Sequence, residues 1–180
     1  YLKALLRKKK VKVRAVVDTK LYQGTIDTVT GIIPGKEDGQ EIWGFSNLYK
    51  PGVIDNASGC ASLLEVERCV KFLILNGKLS APARTIRFVL TLQHYGLLSY
   101  VSTKAGKCRN VLAAITLDSV GAKQSLNRSA LSLVLNPPHQ VFYTDLLMES
   151  AVRQYLELKK VVFKWHKDIS LCERDNLSSG

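Results

Sequence analysis

An acid-and-glycine turn at residues 51–59, PGVIDNASG, is followed by a long apolar pattern with helical spacing. Asp55 and Asn56 favour the start of a helix, because their side chains can accept hydrogen bonds from the free amides of a first turn. Apolar residues then recur mostly at three- and four-residue intervals, at Ala61, Leu64, Val66, Val70, Leu73 and Ile74. The segment predicts a buried helix over residues 58–75 that holds a carboxylate rigidly at its start.

Short β-prone runs lie on both sides of this helix. The predicted strands are at residues 11–17, 21–33, 41–46, 85–92, 111–117, 126–135 and 161–165. We expect the first two to pair with each other, and we predict further helices at 96–105 and 142–158. Because strands alternate with helices, the fold class is α/β: a three-layer α/β/α sandwich with a mixed, mostly parallel central sheet, in a single domain over residues 1–180.

The chain is strongly basic, with 26 Lys and Arg against 15 Asp and Glu and a net charge of +11. Such a charge is typical of a solvated basic surface, and it also attracts polyanions. The densest basic run supplies the candidate nucleic-acid contacts Arg7, Lys8, Lys9, Lys10, Lys12 and Arg14. No aromatic-rich RNA-binding motif accompanies this run, so the sequence favours at most a non-specific RNA contact, or a place in a ribonucleoprotein assembly with protein partners.

Cysteine usage and the ends of the sequence bear on processing and compartment. The four cysteines (Cys60, Cys69, Cys108 and Cys172) show no CxxC spacing. This favours free structural thiols in a reducing intracellular compartment, with the mitochondrion as one candidate. No apolar run reaches the ~18 residues of a membrane span. The first residue is Tyr1 rather than Met, so we expect a fragment or a processed product.

Three predicted strands end in polar residues. Asn47 follows the first of them, Gln93 and His94 the second, and Asp118 the third, while Asp55 lies in the turn. These positions can converge at the carboxyl edge of the sheet, where open α/β folds place their sites. A His with two carboxylates suits zinc. The alternatives are structural: Asp55 as a helix cap, His94 as a hydrogen-bonded strand-end residue, and Asp118 as the start of a turn.

Four sequence segments between residues 25 and 122 can be compared with known families. They are 29–35 (VTGIIPG), 51–65 (PGVIDNASGCASLLE), 84–89 (RTIRFV) and 117–121 (LDSVG). In this order they resemble the co-catalytic zinc aminopeptidases. The resemblance implies the zinc-exopeptidase α/β/α sandwich, which agrees with the fold expected from the alternating strands and helices.

The resemblance also implies roles for individual residues. Asp55 matches the carboxylate that bridges two zinc ions, with a cis peptide bond directly after it, and Asp118 matches a later ligand. Asn47 stands where the family has a His ligand. Gln93 stands where the family has the Glu that acts as general base, and His94 takes the position of the ligating Glu beside it.

These departures predict impaired catalysis, since an amide is a poor zinc ligand and cannot take a proton from water near neutral pH. If an ion binds, we expect Asp55, His94 and Asp118 to hold it, with Asn47 as a weak fourth ligand. His139 and His166 are expected at the surface rather than as the family's C-terminal ligand.

Two functions follow from this site. The first is a catalytically impaired zinc-aminopeptidase-like domain with a structural or interaction role, in which zinc is absent or at partial occupancy. The alternative is an active metallo-aminopeptidase that hydrolyses N-terminal residues of peptides, with another group replacing Gln93 as the base.

Overall fold

The computed structural model describes residue 7 and residues 10–37, 39–140, 142–159 and 164–169 of the 180-residue chain. Within these ranges the strands are β1 Val29–Ile33, β2 Glu41–Asn47, β3 Thr85–Thr91, β4 Val111–Leu117, β5 Leu131–Leu135 and β6 Trp165–Ile169. The helices are α1 Ala57–Leu75, α2 Gln93–Thr103, α3 Ala105–Cys108, α4 Gln124–Asn127 and α5 Tyr143–Lys159, with a 3₁₀ turn at Pro138–Gln140. None of the described helices combines the length and the apolar composition that crossing a membrane requires.

Four strands form the main sheet, in the spatial order β1-β3-β2-β4. Strand β2 runs parallel to both β3 and β4, whereas β1 runs antiparallel to β3. The prediction of a mixed, mostly parallel sheet is therefore confirmed. Because β2, β3 and β4 run in the same direction, their carboxyl ends lie at one edge of the sheet.

Helices cover the main sheet on both faces. Leu63 of α1 packs with Phe88 and Leu90 of β3 in one buried cluster. The adjacent strand residue Val89 belongs to a second cluster, against which Tyr100 of α2 packs. Successive residues of a strand point to opposite faces of the sheet. The two clusters thus lie on opposite faces, which gives the α/β/α layering that the sequence predicts.

Helix α1 lies close against the sheet because a glycine faces it. A Cβ atom added to Gly44 of β2 would lie 2.7 Å from Cδ1 of Leu63. The helix ends at Leu75, and Gly77 just after it has a φ of +68°, the left-handed conformation that glycine adopts most readily. Both boundaries agree with the helix predicted over residues 58–75.

The expected pair of amino-terminal strands is wrong. Residues 10–28 contain no strand, and β1 starts only at Val29 and pairs with β3. Val13, Val16 and Val17 lie among charged residues, as in a half-buried strand, but these three residues are 72–78% exposed. A period-two pattern does not form a strand without a neighbour that accepts its backbone hydrogen bonds and buries one face.

The carboxyl-terminal elements differ from expectation mainly at their boundaries. The strand expected over residues 126–135 starts at Leu131, because α4 and the left-handed Arg128 (φ +56°) occupy its first part. Helix α5 matches the helix predicted at 142–158 within one residue. The last strand was expected at 161–165, of which residues 161–163 lie outside the described ranges. Strand β6 begins at Trp165 and pairs in parallel with β5.

Candidate functional site

The carboxyl ends of β2, β3 and β4 meet beside the acidic turn. Asn47 at the end of β2 is opposite Thr91 at the end of β3, and Ser46 is opposite Leu117 at the end of β4. Asp118 follows directly after β4. The structure therefore brings the polar strand ends together at one edge of the sheet, where the sequence expected them.

The turn itself is closed by backbone hydrogen bonds. The amide of Ala57 donates to the carbonyl oxygen of Gly52 at 3.0 Å, and the amide of Ser58 donates to that of Val53 at 2.9 Å. The Asp55–Asn56 peptide bond is cis, as the resemblance implies. Neither first-turn amide is capped by the Asn56 side chain. The expectation that this side chain caps the helix is wrong, because its polar atoms are engaged elsewhere.

Asn56 is fully buried and joins three segments of the chain. Its Nδ2 donates to Oγ of Ser46 at 3.0 Å and to the carbonyl oxygen of Asn47 at 3.1 Å, both at the end of β2. Its Oδ1 accepts a 2.9 Å hydrogen bond from the amide of Ser119, beyond the end of β4. The Asn of the turn is therefore a structural residue that fixes the turn to two strand ends.

A lysine lies between the two carboxylates of the site. Nζ of Lys50 is 2.9 Å from Oδ1 of Asp55 and 3.6 Å from Oδ2 of Asp118. The hydrogen bond to Lys50 is the main cause that lowers the pKa of Asp55, and the same bond raises the pKa of Lys50. Lys50 is not among the residues predicted from the sequence, although a cation just before the Pro-Gly of an acidic turn is a recognisable signal.

Asn47 makes its hydrogen bonds to the backbone. Its Oδ1 accepts from the amides of Tyr49 and Gln93, at 3.2 Å each. Within the described ranges its Nδ2 is the one buried side-chain nitrogen or oxygen atom that has no hydrogen-bond partner. An amide nitrogen of this kind is a donor and offers no lone pair to a cation. Asn47, which the resemblance places at a His ligand position, thus holds the start of α2 against the end of β2.

Gln93 and His94 are the first two residues of α2, and both are exposed. The side chain of Gln93 lacks the carboxylate that the general base needs. In the described part of the chain, no three His, Cys, Asp or Glu side chains come together in a group that could hold a metal. His94 therefore does not complete such a group with Asp55 and Asp118.

The remaining candidate residues lie away from this edge. Lys10, Lys12 and Arg14 are exposed in a segment without regular structure, and Arg7 is an exposed turn residue. Lys8 and Lys9 lie outside the described ranges. Two further histidines, His139 in the 3₁₀ turn and His166 in β6, are exposed, so their expected surface position is confirmed.

A mixed sheet with helices on both faces defines an α/β domain, and its acidic turn lies where the parallel strands end. The family model described as Peptidase family M28 matches residues 26–161, and the chain belongs to this family. Comparison with curated proteins and with solved structures gives no significant match. The resemblance to the zinc aminopeptidases is thereby confirmed, and the chain has a peptidase-like origin.

Members of this family normally bind zinc, and the donors that the described residues bring to this edge do not by themselves make up a zinc site. Two carboxylates face an ammonium group, and the only amide oxygen of Asn47 already accepts two backbone hydrogen bonds. A zinc site takes three or four protein ligands drawn from thiolate, imidazole and carboxylate. Among the described residues, Asp55 and Asp118 are the only two such ligands that lie together at this edge.

Proposed function

We propose that this chain is a member of Peptidase family M28 that does not hydrolyse peptides efficiently and has a structural or interaction role. The observation that carries the proposal is the engagement of Asn47. Its oxygen binds the amides of Tyr49 and Gln93, so the position of the family's first ligand serves the fold instead of a metal.

The residue at the general-base position supports the same conclusion. Gln93 cannot take a proton from water, and loss of a general base alone reduces a rate by about 10²–10⁴-fold. In the described part of the chain, the two carboxylates at this edge, Asp55 and Asp118, are both paired with Lys50 and do not offer a free base in place of Gln93. A carboxylate held by an ammonium group is a weaker base than a free one, because the positive charge stabilises its ionised form.

Hydrolysis of aminoacyl-nitroanilides with and without added zinc tests this proposal. We expect the wild-type chain to release nitroaniline no faster than the Asp118→Asn variant, at any zinc concentration. The matched control is Asp145→Asn, which changes an acidic residue at the start of α5, away from the site. Zinc-dependent turnover that Asp118→Asn abolishes and Asp145→Asn retains would establish the alternative function, an active metallo-aminopeptidase.

We further propose that the interaction role uses the basic surface. The net charge of +11 and the exposure of Lys12 and Arg14 support this assignment. Retention on immobilised RNA should fall steeply as salt is raised, because phosphate binding releases counter-ions. Neutralising Lys12 and Arg14 should weaken retention more than neutralising the exposed pair Lys78 and Lys123. Retention that is insensitive to salt, or equal in the two double variants, would contradict the RNA contact.

A further inference from the structure

The ammonium group of Lys50 lies between the carboxylates of Asp55 and Asp118. Lys71 with Glu67 and Arg68 with Glu65 are pairs on one helix face, three or four residues apart. Lys50 instead joins two carboxylates from different elements, one in the turn before α1 and one after β4. Its side chain is 28% exposed, less than the 52% and 45% of its two partners.

We infer that the ammonium group of Lys50 is a built-in cation that takes the place of a metal ion between Asp55 and Asp118. The inference rests on the proposed function, because it regards the acidic turn as a former metal site that the fold still uses. Lys50 then holds the turn to the end of β4 and keeps divalent cations out.

The chemistry of the three groups supports this assignment. Two carboxylates brought to one sheet edge repel each other, and a cation between them removes that repulsion. An ammonium group has three donors, so it can bind both carboxylates at once. It is also covalently attached to the chain, and its local concentration does not depend on the supply of metal. A divalent ion must displace it before reaching the same oxygens.

Lys50, Asp55 and Asp118 lie in a hydrogen-bonded part of the fold. The segment after β4 is also held to the turn by the hydrogen bond from Ser119 to Asn56 and by the bond from Gly121 to Oγ of Ser58 at 3.0 Å. Oγ of Ser119 donates to Oδ1 of Asp118 at 3.1 Å, which leaves Oδ2 to face Lys50. Hydrogen bonds to the Asn56 and Ser58 side chains thus hold together the two segments that carry the carboxylates, and Lys50 adds a charged link between them.

The test compares Mn²⁺ binding by the full chain and its Lys50→Met variant. Mn²⁺ suits oxygen ligands, whereas zinc would also bind the free thiols of Cys60, Cys69 and Cys108. Free Mn²⁺ is measured by its electron paramagnetic resonance signal. Lys78→Met is the matched control, since it removes the same charge from an exposed loop.

We expect Lys50→Met to bind Mn²⁺ about tenfold or more tightly than the wild type and Lys78→Met, because a positive charge about 4 Å from the ion has been removed. Adding Asp55→Asn and Asp118→Asn should abolish this gain. Thermal unfolding gives a second readout: Lys50→Met should melt below Lys78→Met, and neutralising both carboxylates should restore the melting temperature.

Equal Mn²⁺ affinity of Lys50→Met and Lys78→Met would overturn the inference and leave the proposed function intact, as would a gain that survives loss of both carboxylates. If Lys50→Met does not fold, a folded variant that also carries Asp55→Asn and Asp118→Asn supports the inference, and an unfolded one overturns it. Wild-type turnover of aminoacyl-nitroanilides would instead contradict the proposed function, whatever the Mn²⁺ comparison gives.

Discussion

Replacing Asn56 with alanine should destabilise the fold by about 3 kcal/mol. Its side chain makes hydrogen bonds of 3.0 Å to Ser46, 3.1 Å to the carbonyl of Asn47 and 2.9 Å from the amide of Ser119. Each hydrogen bond contributes about 1 kcal/mol net to stability. The full loss applies here because Asn56 is completely buried, so water cannot replace the missing partner.

Urea unfolding followed by circular dichroism measures this effect. With a slope of about 2 kcal/mol per molar urea, a loss of ~3 kcal/mol lowers the midpoint by about 1.5 M. The matched control is Asn76→Ala at the other end of α1, where an exposed side chain makes one 2.8 Å bond to the carbonyl of Phe72. We expect this control to lose about 1 kcal/mol or less.

A second substitution at the same position separates hydrogen bonding from volume. Asn56→Asp keeps the size and the acceptor for Ser119, but it removes the donor that faces Ser46 and the carbonyl of Asn47. It should therefore cost at least as much as Asn56→Ala. The reasoning is refuted if Asn56→Asp is as stable as the wild type, or if Asn56→Ala and Asn76→Ala unfold at the same urea concentration.

Three further predictions concern other parts of the structure. Gly59→Ala should cost about 2 kcal/mol or more by thermal unfolding, because its Cβ would lie 2.5 Å from a carbonyl oxygen at the end of β4. Arg87→Met should cost about 2 kcal/mol in urea, since it removes two 2.7 Å bonds from a guanidinium group to the largely buried Glu41 carboxylate, which keeps its hydrogen bond from Trp43. The Glu65 carboxyl should titrate by NMR with a pKa below 4.5, lowered by the hydrogen bond from Arg68, and Arg68→Ala should return it toward 4.5. The small stability that this exposed pair supplies is present above pH 4.5 and is lost as the pH falls through the lowered pKa.

Each of these three predictions has a control measurement. Gly106→Ala should lose no stability, because a Cβ there has nothing within 4 Å, and a loss equal to that of Gly59→Ala would contradict the steric argument. Arg68→Met breaks an exposed pair and should cost much less than Arg87→Met. A Glu65 pKa that does not move in Arg68→Ala would refute the assigned cause.

The central part of the fold could be predicted because its patterns are local and strong. The nearly continuous apolar run of β3, broken by Arg87, predicts a central strand, the helical spacing of α1 predicts a helix, and Gly77 marks where α1 ends. Residues 10–28 misled the prediction, since their alternating valines satisfy a strand pattern without a neighbouring strand. Strand pairing depends on contacts between residues that are far apart in the sequence, and the pattern within one segment does not reveal those contacts.

The site could be predicted in part for the same reason. Asp55 and Asp118 follow recognisable elements, and parallel strands bring their ends to one edge. The role of Lys50 depends on the direction of its side chain, and the role of Asn47 on which backbone amides turn toward it. Neither is visible in residue spacing.

Anomalous scattering at the zinc edge, from crystals grown with zinc, tests the central claim most directly. The account predicts Nζ of Lys50 within hydrogen-bonding distance of Asp55 and close to Asp118, with no zinc peak between the two carboxylates. A fully occupied zinc peak at that point, with the lysine turned away, would contradict it.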